Sequence, residues 1–458
     1  MATINLLEDA VADEASRVLP PSPHNVEETG LDFLFLTELL SKILFLRGRM
    51  SLSDLSGHVK LPVSVLESVL DFMRAEHLCE LASRGDNSAS TFFQLSDTGR
   101  LRAGDYMRRC QYAGPAPVSL DAYSAQVLRQ SIRDVHYTRE IMAAGFDGFI
   151  IRSTVLDQLG AAMNSGRAII IYGQPGTGKT FIAENLTRLL QDFVAIPYAI
   201  TVDNEVIQMY DPHVHELMPQ KAATHNLGRK HLVDARWLAC KRPIAIAGGE
   251  LTMETLDLDF DDGTRFYQAP PHVKANNGLF VIDDLGRQLV SPQDLMNRWI
   301  VPLDRRLDYL TLHTGYKFQI PFDVIVVFSS NIDPSELADE AFLRRLGYKI
   351  HIDALSEDQY RQVFRQVCDK LAIPFIEDAL QHLLHERHYK EGRALLACYP
   401  RDLLGQVRDL ARYESRPPAL SAQVLDWAWH NYFAPDKQGK GDAGVAQREG
   451  LRKRRKLD

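Results

Sequence analysis

The stretch Gly173-Gln174-Pro175-Gly176-Thr177-Gly178-Lys179-Thr180, GQPGTGKT, decides how the chain is read. It fits the pattern G-x-x-x-x-G-K-[ST], a loop that cradles phosphates. The run before it, AIIIY (Ala168 to Tyr172), is apolar and suits a parallel strand buried on both faces. The run after it, FIAENLTRLL, is helical in character. Glycines let backbone N–H groups approach phosphate oxygens with no Cβ in the way. The start of the following helix adds partial positive charge. Lys179 is expected to reach the β- and γ-phosphates of ATP, and the Thr180 hydroxyl to ligate Mg²⁺.

A second stretch completes the pattern. LFVIDDLGR (Leu279 to Arg287) is another apolar run, and it ends on two carboxylates. Acids at the C-terminal end of a buried strand fall beside the phosphates, because open α/β sheets bind ligands at that edge. Asp283 is the expected magnesium-shell residue. Asp284 is expected to orient or deprotonate the attacking water.

Outward from this core the chain divides. Residues 1–30 are acidic and then proline-rich, and are expected to form a flexible arm. Residues 31–115 read as three helices followed by a β-hairpin, a pattern resembling a winged helix. Residues 116–145 are expected to be a linker. An α/β nucleotide-binding domain spans 146–352, with a β-rich insert at about 200–275. Residues 353–435 read as helices only, and 436–458 as a disordered basic tail ending in RKRRK. Of the 458 residues, 45% are hydrophobic and 24% charged, and the net charge is -8. That balance carries no global basic footprint for nucleic acid. The five cysteines are scattered without a CxxC pair, which fits reduced thiols in a cytoplasmic protein. No run of apolar residues is long enough for membrane insertion.

With these motifs in order, about 145–435 resembles the AAA+ ATPases. The resemblance implies an α/β class: a P-loop AAA+ parallel sheet core with a helical lid, here preceded by the winged-helix-like domain. DVIVVFSSN matches the family's sensor-1, with Asn331 contacting the γ-phosphate or the water. DEAFLRRLGYKI matches its arginine finger and offers Arg344 and Arg345. YPRDLLGQVRDL matches sensor-2, with Arg401. A finger acts on a neighbour's nucleotide, so the resemblance implies a homo-oligomeric ring, a hexamer, that hydrolyses ATP and remodels a protein client in a chaperone-like way.

The chain departs from the family pattern in places. The family carries Asp-Glu where this chain has Asp283-Asp284, so the water must sit closer or the loop must shift. The spacing between Lys179 and Asp283 is wider than a minimal core requires. The β-rich insert and a hairpin expected between Arg306 and Ser329 are reminiscent of the bacterial-type branch with MoxR-like chaperones. No GAFTGA loop and no clear aromatic–x–Gly pore loop are present.

Other features weigh less. His213, His215 and Glu216 read as a polar loop rather than a metal site, and His382, His385 and His388 as a solvated helix face. The third helix of the winged-helix-like domain carries Glu67, Asp71 and Glu76 against Arg74. A phosphate-binding face is basic, so a protein partner is expected over nucleic acid. The alternative is an ATP-dependent DNA-binding switch. A small-molecule kinase is disfavoured by the sensor and finger pattern.

Overall fold

The computed structural model describes residues 18–83, 91–218, 233–337 and 339–433. Residues 84–90, RGDNSAS, and the expected basic tail at 436–458 lie outside the described residues. The chain forms two compact units: residues 1–173 with 179–351, and residues 174–178 with 352–458.

The first unit is built on a five-stranded parallel sheet. Its strands are β1 (Ile169–Tyr172), β2 (Ile244–Ala247), β3 (Leu279–Ile282), β4 (Ile325–Ser330) and β5 (Tyr348–His351). Their spatial order is β2-β3-β4-β1-β5, and every pairing is parallel. All of β3 and β4 is buried, as continuous apolar runs require when both faces of a strand are covered. Helix Ser153–Ser165 leads into β1, Lys179–Asn185 follows β1, and Pro292–Arg305 lies between β3 and β4. The sheet therefore belongs to the α/β class, with the glycine loop following β1 and both acids following β3.

This topology fixes where chemistry can occur. One strand, β4, separates the loop strand from the acid strand. Since all strands run the same way, the ends of β1, β3 and β4 come together on one edge.

Around the sheet the expectations need correcting in several places. Residues 18–30 are not a free arm. Val18 and Leu19 pack against an apolar cluster, Pro21 bridges to Val233, and Asp234 N–H donates to the Pro20 carbonyl at 2.8 Å. Nor is 116–145 a linker. Val118–Ser119 pairs with Ala199–Val202 in a second, mixed five-stranded sheet, and helices Leu120–Arg129 and Arg139–Gly145 follow. A buried ion pair holds these pieces together. Arg236 donates to both Asp234 oxygens and also to the carbonyls of Thr29 and Pro117. Paired and fully hydrogen-bonded, such a charge is tolerated in the interior.

The insert is β-rich, but part of what reads as insert is core. IAIA (Ile244–Ala247) is the edge strand β2 of the nucleotide sheet. The hairpin expected between Arg306 and Ser329 is present as Leu307–Thr311 against Lys317–Pro321.

Residues 31–115 run as helix Phe33–Arg47, strand Met50–Ser51, helices Leu52–Val59 and Val63–Ala75, strands Cys79–Ser83 and Phe92–Leu95, then helix Asp97–Arg109. The three strands form an antiparallel sheet with Phe92–Leu95 in the centre. Their apolar core includes Ala199 and Val206 of the insert.

The second unit is helical: Glu357–Lys370, Glu377–His382, a π-helical stretch Leu383–Tyr389, Cys398–Tyr413 and Ala422–Tyr432. His388 is buried at its centre against Tyr360 and Trp429, not solvated, and burial pushes its pKa down to about 4. His215 of the first unit is likewise a buried histidine, bonded to the Lys274 carbonyl and pushed down to about 4 by desolvation. Among the described residues no cluster of His, Cys, Asp and Glu could hold a metal. No described helix is long and apolar enough to cross a membrane.

Candidate nucleotide site

Lys179 and Thr180 open the helix after the glycine loop, Asp283 and Asp284 follow β3, and Asn331 follows β4. Because β4 lies between β1 and β3, Asn331 stands between the lysine and the acids. The side chains are joined in a line. The Lys179 ammonium donates to Asn331 Oδ1 at 2.7 Å, and Asn331 Nδ2 donates to Asp284 Oδ1 at 2.6 Å. An amide with a cation on one side and a carboxylate on the other has only one satisfying orientation. Beside this line, the Thr180 hydroxyl lies 2.9 and 3.0 Å from the two oxygens of Asp283.

Lys179 is 5% exposed. Burial lowers its pKa, opposed by the negative fields of Asp284 and then Asp283. Desolvation disfavours the charged form, and nearby carboxylates restore it. One ammonium facing two acids leaves a net negative charge, so a polyphosphate binds there together with the divalent cation that the acids attract.

The acid loop is fixed by its backbone. Asp283 N–H donates to the Ala247 carbonyl at 2.9 Å, extending the β2–β3 pairing by one residue. Leu285 N–H donates to the Ser329 carbonyl at 2.7 Å, and the Ser330 hydroxyl donates to the Leu285 carbonyl at 3.0 Å. Gln288 closes the turn by donating to the Asp283 carbonyl and accepting from Gly286 N–H. Between these anchors Asp284 has φ +51°, a left-handed conformation that few side chains adopt. Strain of this kind persists only where the surroundings over-determine it, and it collects at functional sites. Gln288 carries no motif, so the sequence offered no signal for it.

Within the loop, Gly173, Gly176 and Gly178 have φ of 148°, 84° and 96°. Residues with a Cβ rarely take the last two, so glycine is required there. Gln174, Pro175 and Thr177 complete the turn, the Thr177 hydroxyl donating to the Gln174 carbonyl at 2.9 Å. In the second unit, Cys398 N–H donates to the Gly176 carbonyl at 3.1 Å, and a Cβ on Gly176 would stand 2.6 Å from Cys398 Sγ. Sequence reasoning assigned no role to Cys398.

Within the first unit, Arg344 and Arg345 stand elsewhere. Arg344 and Arg345 precede β5 and so lie at the strand starts, the edge opposite Lys179. About 13 Å of strand, at roughly 3.3 Å per residue, separates the two edges. Arg344 is exposed and pairs with Glu340 at 2.7 Å, and Arg345 Nε donates to Asp304 at 2.7 Å. Arg401 lies on helix Cys398–Tyr413 with its side chain exposed, donating to Asp402 at 2.9 Å. Lys179, Thr180, Asp283, Asp284 and Asn331 are thus brought together, and Arg344 and Arg345 are not brought to them.

Both expected ligands fit the residues present. Hydroxyl and carboxylate oxygens are the natural ligands of magnesium, and Thr180 with Asp283 supplies them. A buried ammonium beyond a glycine-rich turn suits a polyphosphate.

Residues 356–431 match a family described as "Domain of unknown function (DUF8689)". The chain is similar to a mutant of Thermotoga maritima RuvB at 12% identity and TM-score 0.38, over 65% of this chain and 75% of that one. It is similar to NtrX from Brucella abortus in complex with ADP at 13% identity and TM-score 0.39, over 70% of this chain and 61% of that one. No curated protein sequence matches. Likeness at this level carries no argument; the reading of the site rests on its side chains.

Proposed function

We propose that the chain is an AAA+ ATPase that binds and hydrolyses Mg-ATP. The observation that carries this reading is the line Lys179–Asn331–Asp284 with Thr180 against Asp283 beside it. Lys179 neutralises the β/γ-phosphate charge. Thr180 and Asp283 hold magnesium, which when bound supplies positive charge against the phosphates. Asn331 positions the water through its amide. Asp284 accepts the water's proton, and its fixed φ sets the direction of its carboxylate. Arg401 serves as the sensor of the helical lid.

Arg344 and Arg345 act in trans, each copy's pair completing the site of its neighbour in a hexameric ring. Their place at the far edge of the sheet supports this, since they cannot serve their own Lys179. Developing charge on the transferred phosphoryl is what a guanidinium stabilises. The β-rich insert and the hairpin at 307–321 favour the MoxR-like branch. The ring remodels a protein client, recruited through a winged-helix-like module at 31–115. The Asp71–Arg74 pair on its third helix, at 3.2 Å, leaves that face without the surplus of cations that duplex DNA requires.

The test is magnesium-dependent phosphate release from ATP across a range of protein concentrations. Specific activity should rise with concentration as rings form. No turnover at any concentration overturns the ATPase reading. A salt-dependent gel shift of duplex DNA by the full chain, lost on substituting residues of 63–75, favours the DNA-binding switch instead.

A further inference from the structure

At the strand starts, opposite the glycine loop, a cavity of about 590 Å³ opens between the end of helix Pro292–Arg305 and the turns leading into β1, β4 and β5. Arg133, Arg167, Arg306, Arg344 and Arg345 line it, with Asp304 as its carboxylate. Arg345 takes Asp304, and Arg344 takes Glu340. That leaves three guanidiniums. Arg133 Nε is buried without a hydrogen-bond partner among the described residues, its nearest carboxylate being Asp323 at 3.9 Å. Asp323 is already engaged. One of its oxygens accepts from the Ser131 hydroxyl, the other from Ile132 N–H and the Asn277 amide. Arg306 Nη1 is also buried without a partner, and desolvation pulls its pKa down. Arg306 caps its helix at φ +60°, its backbone N–H bonded to the Pro302 carbonyl. Arg167 lies exposed at the margin with no carboxylate at bonding distance among the described residues.

A buried charge is costly unless it is paired. Arginine forks match phosphate oxygens two at a time. A cavity of this size falls within the range of small-molecule sites. We propose that this cavity binds a free small molecule carrying two or more phosphate groups, at a site separate from the glycine loop. Arg133, Arg167 and Arg306 supply the contacts. Arg133, Arg167 and Arg306 have one carboxylate near them, Asp323, so a net positive charge remains that calls for a ligand carrying more charge than one phosphate provides. The inference does not rest on ATP turnover, because none of these three residues lies at the Lys179 edge.

The same chemistry could be offered by the polyphosphate of a nucleotide held on a neighbouring copy, so the experiment separates the two sources. Inorganic pyrophosphate is titrated by calorimetry into the full-length Lys179→Ala chain, whose glycine loop is disabled, at several protein concentrations. The expected result is saturable binding at one site, unchanged across those concentrations. Adding Arg167→Gln on the exposed margin weakens it about tenfold, the worth of one charge-assisted fork. Arg306→Gln, with its fold checked by circular dichroism, weakens it at least as far. Absence of saturable binding overturns the proposal. So does binding that survives both substitutions unchanged. Binding that appears only when ATP-loaded parental copies are added assigns the anion to the neighbour, and the free-ligand proposal falls.

Discussion

The two edges of the five-stranded sheet gather charge in opposite ways. At the strand ends, an ammonium, an amide, two carboxylates and a hydroxyl are bonded to one another in a mixed set. At the strand starts five guanidiniums surround one cavity with a single carboxylate in its lining. The difference is instructive because both edges rest on the same backbone. A mixed set can hold an anion together with a metal and direct a proton, since its groups are oriented before a ligand arrives. A set of one sign can attract but has no base to offer. The strand ends are therefore equipped for chemistry and the strand starts for binding.

The largest effect expected is from Lys179→Ala. It removes the buried ammonium of the mixed set, leaving Asp283 and Asp284 facing the phosphates with only Arg287, 3.9 Å from Asp284, paired to them among the described residues. ATP affinity should fall by about a hundredfold or more, and turnover should drop below detection. Nucleotide titration and phosphate release measure both. Unchanged affinity would mean that the strand ends are not the nucleotide site.

Next is the Arg344→Ala/Arg345→Ala double variant. It should bind ATP normally and lose turnover by about 10³-fold, the usual worth of a finger. Mixed with Lys179→Ala, it should recover part of the activity, because the two defects lie on opposite edges and complement across an interface. A mixture that co-assembles and recovers nothing would break the trans arrangement. Arg344 and Arg345 would then be structural, serving Glu340 and Asp304.

Asp284→Asn is expected to cost less, about 10²-fold in turnover, with ATP retained. The amide keeps the shape and the bond from Asn331 can be re-formed, but the basic charge is gone. Single-turnover hydrolysis with bound nucleotide counted separately checks it. Parental turnover would assign the proton to another group.

Much of the mixed edge was legible in the sequence, and little of the other was. AIIIY and LFVIDD announce buried strands because both faces are covered, so apolar residues run without alternation. Asn331 comes from the resemblance, as the polar residue that ends DVIVVFSSN where the family has its sensor-1. The edge strand β2 was missed for the complementary reason. IAIA alternates, with Ile246 half exposed, as a surface strand does, so it reads as insert. Residues 116–145 read as a linker because Gly114, Pro115 and Pro117 break the chain just before them, but a break of this kind marks a turn and not looseness. His388 follows Leu384 by four residues and shares its buried face, and its polarity alone makes it read as solvated. The arginine cavity could not be read at all. Arg133, Arg167, Arg306 and the pair at 344–345 come from four separate segments, and only the parallel topology brings their starts to one edge.

The smallest effect expected is at Gly166. It caps helix Ser153–Ser165 at φ +58°, where a side chain is strained, and an added Cβ would stand 2.6 Å from Arg133 Cγ. Gly166→Ala should therefore cost roughly 1 kcal/mol of stability from the left-handed backbone. It should also displace Arg133, which packs directly over this glycine. A urea titration reads the first, and pyrophosphate calorimetry on the Lys179→Ala background reads the second. The affinity for pyrophosphate should fall several-fold, the partial loss of one charged contact. ATP affinity of the otherwise parental chain should move less, because the perturbed guanidinium lies a full strand length from Lys179. If ATP affinity falls as far as pyrophosphate affinity, the two edges are energetically coupled and the division between a chemical edge and a binding edge fails. If stability drops while pyrophosphate binding holds, Arg133 is not a ligand, and the cavity's anion must be held by Arg167 and Arg306 alone.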